Sequence, residues 1–134
     1  MAYSEAFKDH IANPRNVGEL SGANAAGEET NPVCGDRMRL SLRLRDARIE
    51  AARFLAYGCP PTLVCGSVLT EVIIGLTTAE ALRFTRKELI DAVGGLPSRK
   101  QHAAALAIAT LRVAIESESL QDNSVRPIIF EELS

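Results

Sequence analysis

Nine consecutive residues, Arg37 to Arg45, alternate almost without exception between apolar and polar side chains. Met38, Leu40, Leu42 and Leu44 fall on one face, and Arg37, Arg39, Ser41, Arg43 and Arg45 on the other. A two-residue period belongs to an extended chain, so this stretch is a strand with one face buried and one in water. A second β-patterned run, Ile49 to Tyr57, comes after a turn around Asp46-Ala47. The two should pair as an antiparallel hairpin, and with neither Asn-Gly nor Asp-Gly at its tip the turn type stays open. A hairpin returns the chain to where it began, so the residues just before Arg37 and just after Tyr57 should meet in space. The strand arginines are read as a solvated sheet face, because a net charge of −2 does not suit a basic binding surface.

The hairpin runs into Tyr57-Gly58-Cys59-Pro60-Pro61. Two successive prolines cannot continue a strand ladder but fit the first turn of a helix. The run Thr62 to Ile74 then carries Leu63, Val64, Val68, Leu69, Val72, Ile73 and Ile74 nearly all round a helix, which predicts a central, buried helix stopped by Gly75. Cys59 thus stands at the positive end of a helix dipole, among amides expected to be unpaired, a setting that favours the thiolate.

The flanking chain supplies the rest of an α+β domain, a small antiparallel sheet packed against helices. Ser4 to Ala12 reads as a short helix capped by Ser4 and ended at Asn13-Pro14. His10 lies beside its apolar stripe and is read as a packed residue. Asn13 to Val33 lacks periodicity and is a long loop or an irregular edge strand. Thr77-Thr78-Ala79-Glu80 and Thr85-Arg86-Lys87-Glu88 are capping boxes for two short helices. Ala-rich Ser98 to Ser117 should be the longest helix. At 134 residues the chain can bury a core without staples, and we divide it into a domain, 1–117, and a tail, 118–134, that docks on the domain or on a partner.

Nucleic acid and membrane are poor partners for this charge balance, and no apolar run reaches spanning length. The first residues have no signal-peptide pattern, which points to the cytoplasm. Three cysteines outside a secretory context argue for metal or thiol chemistry over disulfides. Cys34-Gly35-Asp36 before the hairpin and Cys59 after it should be close, with Gly35 allowing a tight turn between thiol and carboxylate. His102 joins them only if the tertiary fold brings it. Cys65 lies six residues beyond Cys59, about 9 Å of rise and about 240° of rotation along a helix, and is read as a core residue.

These residues also carry a resemblance. His10 with Asn13-Pro14-Arg15-Asn16-Val17-Gly18, Cys34-Gly35-Asp36, Tyr57-Gly58-Cys59, Thr70-Glu71 before Gly75, and Leu96-Pro97 ahead of Lys100 and His102 occur in the order of IscU/NifU-type iron–sulfur cluster scaffolds. The chain resembles that family from Tyr3 to Ser117. The resemblance implies a scaffold, not an enzyme, that receives sulfur from a cysteine desulfurase and passes clusters, [2Fe–2S] in type, to acceptor apo-proteins. It implies Cys34, Cys59 and a cysteine after His102 as ligands, with His102 at the site and Asp36 tuning stability and release. Here the position after His102 is Ala103, and Leu96-Pro97-Ser98-Arg99-Lys100 departs from the Leu-Pro-Pro-Val-Lys segment read by Hsp70-type chaperones, so the likeness does not extend to chaperone-assisted release. With Ala103 in place, Cys34 and Cys59 supply two thiolates per chain, and a homodimer would supply four.

The reading taken is a scaffold or carrier that holds iron, cluster or zinc through Cys34, Asp36, Cys59 and His102. The alternative is a regulatory protein of the same fold with a closed zinc site that builds no clusters. A thiol enzyme using Cys59 with His102 as base is disfavoured, because no oxyanion-hole or substrate motif accompanies them.

Overall fold

The computed structural model describes residues 3–124. Its core is a three-stranded antiparallel sheet in the order β1-β2-β3, with β1 at Ala25–Thr30, β2 at Arg37–Arg45 and β3 at Arg48–Tyr57. Helices α1 (Glu5–Ala12), α2 (Pro60–Ile73), α3 (Thr78–Leu82), α4 (Arg86–Ala92) and α5 (His102–Ser124) complete an α+β fold.

The alternating run forms β2, and Met38, Leu40, Leu42 and Leu44 are all buried. Arg45 pairs with Arg48, leaving Asp46 and Ala47 as a two-residue turn with φ of 54° and 60°. Two successive positive φ values are those of a type I′ turn, whose twist matches that of the strands it joins. A register shift after Arg43 places Glu50 beside both Arg43 and Arg45, and it bridges them at 2.9 and 3.3 Å. Arg39 pairs with Glu19 at 2.8 Å and Arg37 with Glu28 at 3.5 Å. The arginine face is therefore a set of exposed ion pairs, each worth little in water.

The open alternative for Asn13 to Val33 resolves into an edge strand within a long connection. β1 is too short and too polar to show a period, but Ala25 and Gly27 face inward beneath α5. A side chain at Gly27 would run into the Ala114 backbone, so strand and helix approach more closely than any other residue would allow. On the far side of the sheet, Asn16 and Gly18 bond the backbone of Phe54 at 2.9 and 2.8 Å and cover the free edge of β3.

The core runs between the sheet and the two long helices, with Phe54, Leu40 and Leu42 against Val64, Leu69, Ala107 and Leu111. Both capping boxes close as expected, at Thr77/Glu80 and Thr85/Glu88. Two boundaries differ from the sequence expectation. α2 starts at Pro60 rather than Thr62, because proline suits the first helical positions. The longest helix starts at His102 after a 3₁₀ turn, Ser98–Lys100, and continues past Ser117 to Ser124. The apolar triplet Ile128-Ile129-Phe130 and the rest of the tail after Ser124 lie outside the described residues.

His10 is packed rather than ligating. Its Nδ1 is 2.7 Å from Ser67 Oγ and its Nε2 is 3.4 Å from Glu71, which ties α1 to α2. Arg15 completes this clasp, donating its amide to Ser67 Oγ at 2.8 Å and its guanidinium to Asp9 at 2.7 Å. Asn16 Nδ2 donates to Thr70 Oγ1 at 3.1 Å.

Candidate metal centre

Because Arg37 pairs with Tyr57, the hairpin places Asp36 and Gly58 side by side at its open end. The connection from β1 to β2 is closed on itself. The Asn31 side chain accepts from the amides of Val33 and Cys34 at 2.9 and 3.4 Å, and Gly35 donates to the Asn31 carbonyl at 2.8 Å. With Gly35 at φ +82°, this loop holds an exposed Cys34 beside a buried Asp36.

Gly58 is required by the same closeness. Its φ is +148°, and a Cβ there would overlap the Asp36 carboxylate. Only a bare backbone lets the end of β3 pass this close to the acid.

Three donor atoms, one each from Cys34, Asp36 and His102, lie within 4.8 Å of one another. Cys59 is tied to the same carboxylate: its thiol donates to Asp36 Oδ2 at 3.3 Å. His102 Nε2 faces that oxygen at 3.7 Å. The other ring nitrogen, Nδ1, is 3.2 Å from the Arg99 carbonyl, which can only accept, so Nδ1 carries a proton. With Nδ1 donating there, Nε2 is the nitrogen turned toward the Asp36 carboxylate, and holding a histidine through its far nitrogen is the usual way a protein prepares a metal ligand.

Asp36 is the hub. Burial alone would raise its pKa, but hydrogen bonds from the Thr62 hydroxyl, from the Cys59 thiol and amide and from Cys34 outweigh burial and hold it below the usual carboxylate value. The strongest of these is Thr62 Oγ1 to Asp36 Oδ2 at 2.7 Å, from a threonine with no exposed surface.

The expectation of free amides around Cys59 is corrected by the start of α2. Proline has no N–H, so the two positions that open the helix carry none, and the Thr62 amide turns back to the Cys59 carbonyl at 2.9 Å. Cys59 is the N-cap of α2, yet its sulfur makes no capping bond and points to Asp36 and, at 3.5 Å, to Thr62 Oγ1. Cys65 lies in the core with no exposed surface, and burial, with Cys59 nearby, pushes its thiol up to about 12. Ala103 is equally buried. Sequence reasoning missed Thr62 and the Arg99 carbonyl. Thr62 was within reach, since a residue three positions after Cys59 shares its side of a helix; the carbonyl depends on a 3₁₀ turn that no side-chain pattern marks.

The three donors that lie together, a thiol, a carboxylate and an imidazole, suit zinc or iron better than a hard cation such as magnesium, and Cys59 falls outside that group while bonded to the same carboxylate. The family model described as NifU-like N terminal domain matches residues 2–122. The chain belongs to this family. Among its NifU-domain relatives, the iron-sulfur cluster assembly scaffold protein IscU 1 of Archaeoglobus fulgidus is 43% identical over 113 residues, spanning 84% of this chain and 74% of that protein. The scaffold protein IscU of Aquifex aeolicus is 38% identical over 125 residues, spanning 92% and 80%. A crystal structure of a NifU-like N-terminal protein from Brucella abortus superposes with a TM-score of 0.73 over 87% of this chain and 93% of its own, at 16% identity, a likeness of fold. The two curated relatives are named as scaffolds, not as enzymes. No helix among the described residues is long and apolar enough to cross a membrane.

Proposed function

We propose that this protein is an iron–sulfur cluster assembly scaffold or carrier of the cytoplasm, receiving sulfur from a cysteine desulfurase and passing [2Fe–2S] clusters to acceptor apo-proteins. The observation that carries the reading is the meeting of Cys34, Asp36 and His102 within 4.8 Å, with Cys59 bonded to the same carboxylate, in a chain of the NifU family. Cys34 is exposed and free to receive sulfur or iron. Cys59 and His102 are partly buried around the same carboxylate. An exposed thiol at the mouth of the site suits cargo that must enter and leave again.

Because Ala103 offers no lone pair, one chain contributes two thiolates. Four are reached when two chains share the cluster across a two-fold axis; within one chain, His102 and Asp36 would bring the ligand set to four. The same four side chains would hold zinc when iron and sulfide are absent.

The test is anaerobic reconstitution with ferrous iron, cysteine, a cysteine desulfurase and a reductant, then visible absorption, iron and sulfide analysis, and transfer to an apo-ferredoxin. Uptake of iron and sulfide that is lost in Cys34→Ala and Cys59→Ala supports the scaffold. Binding of zinc alone, with no iron and sulfide under any of these conditions, rejects it in favour of a zinc-holding regulatory protein.

A further inference from the structure

The first turn of a helix beside a metal site ordinarily offers backbone amides as hydrogen-bond donors. In this chain Pro60 and Pro61 remove two of them, and the third, from Thr62, is spent on the Cys59 carbonyl. In their place α2 presents the Thr62 hydroxyl to the site. It is fully buried and directed at Asp36 Oδ2, 2.7 Å away, and lies 3.5 Å from the Cys59 sulfur. Asp36 contacts Cys59, His102 and Thr62 together, so its orientation sets how the donor atoms face one another.

We infer that Thr62 is a positioning residue for the metal site, its hydroxyl replacing the amides lost to the two prolines and holding the Asp36 carboxylate toward Cys34 and His102. This rests on the reading of the four side chains as a metal site and names the group that shapes it. A carboxylate in such a place can turn about its side-chain torsions. With one oxygen anchored by Thr62, those torsions are fixed before metal arrives. Without the anchor the carboxylate must be ordered during binding, and the Cys59 thiol bonded to it loses its orientation as well. Partners of this kind, which touch a ligand rather than the metal, typically alter metal affinity by about 10–100-fold.

Cobalt(II) is the probe, because its thiolate charge-transfer and ligand-field bands report donor set and geometry. Affinity is taken from competition with a chelator, for wild type, Thr62→Val, Thr62→Ser and Thr62→Val in an Asp36→Ala background. Thr62→Val keeps the shape of threonine and removes only the donor. It should weaken Co²⁺ binding by about 10–100-fold and shift the bands. Thr62→Ser should restore both, and in the Asp36→Ala background Thr62→Val should cost nothing further. Thr62→Ala takes the place of the valine variant if that one does not fold, with circular dichroism and urea midpoints as the check. Wild-type affinity and spectrum in Thr62→Val would overturn the inference while leaving the metal site standing. Equal losses in both backgrounds, or no rescue by serine, would reduce Thr62 to a packing residue and overturn it too. Failure of the wild type itself to take up Co²⁺ would overturn both this inference and the reading beneath it.

Discussion

Gly58→Ala tests the geometry of the site from the backbone side. Gly58 sits at φ +148°, a region that residues with a side chain enter at a cost of about 1–3 kcal/mol. The added methyl would also overlap the Asp36 carboxylate, which must then swing away from Thr62 and Cys59. Losing a buried hydrogen bond to a charged group costs about 1.5–3 kcal/mol. The two effects together come to about 3–5 kcal/mol, a large share of the stability of an ordinary domain. With a urea dependence of about 1.5–2 kcal/mol per molar, the midpoint should fall by roughly 1.5–3 M. A cycle with Asp36→Ala separates the parts, since removing the carboxylate leaves the backbone strain and abolishes the overlap. The second substitution should therefore cost less in the Asp36→Ala background, and metal affinity should drop only where Asp36 is present. A Gly58→Ala protein with the wild-type urea midpoint and wild-type metal binding would refute the claim that this glycine exists to admit the acid.

Other perturbations test separate parts of the molecule. Ala47 occupies φ 60° in the type I′ turn, so Ala47→Gly should stabilise the fold by about 1 kcal/mol in urea titrations. Cys65→Ala should lower stability by about 1 kcal/mol and leave Co²⁺ affinity unchanged, because the thiol is a core group; a loss of metal at matched folding would make it a ligand. Burial, then the nearby Arg15, holds the His10 imidazole below its ordinary value, with Glu71 and Asp9 opposing. The folded state therefore keeps His10 neutral while the unfolded chain takes up the proton, so its stabilising contribution is present above a pH of about 6.5 and is lost as pH falls through the lowered native value. Urea midpoints at pH 7.5 and 5.5, a window above the carboxylates, should differ less in His10→Gln than in wild type, and an unchanged difference would discount the histidine.

Most of the sheet could be read from residue order because period 2 is a local signal: Met38 to Leu44 is enough to define a strand and its buried face. The hairpin then brings Asp36 beside Gly58 and Cys59 by connectivity alone. β1 was not legible in the same way. Its inward residues are Ala25 and Gly27, chosen for the closeness of α5 rather than for hydrophobicity, so no apolar rhythm marks them. The site divides along the same line. Asp36 was visible through its neighbours Cys34 and Gly35, whereas the orientation of His102 depends on a carbonyl in a 3₁₀ turn and that of Asp36 on a threonine in the first turn of α2. The two prolines misled for a physical reason: they announce a helix start and at the same time remove the amides that make such a start attractive to a thiolate.

Ala103 brings these threads together. His102 and Ala103 open α5, and successive residues on a helix point about 100° apart. The His102 ring is half-buried at the site, while Ala103 has no exposed surface and belongs to the core. A sulfur added there enters a packed interior, where extra volume costs about 1–3 kcal/mol, unless the first turn of α5 rotates toward the site. That turn is held by Gln101 on the Leu96 carbonyl at 3.2 Å and by His102 on the Arg99 carbonyl. Ala103→Cys should therefore lower the urea midpoint of the metal-free protein, yet lengthen cluster lifetime under chelator challenge and make that lifetime less dependent on protein concentration. The wild type, with two thiolates per chain, should lose its cluster faster on dilution, as a cluster shared between two chains must. A wild-type lifetime independent of dilution, combined with rapid loss in His102→Ala, would place the cluster within one chain on His102 and remove the need for a second copy.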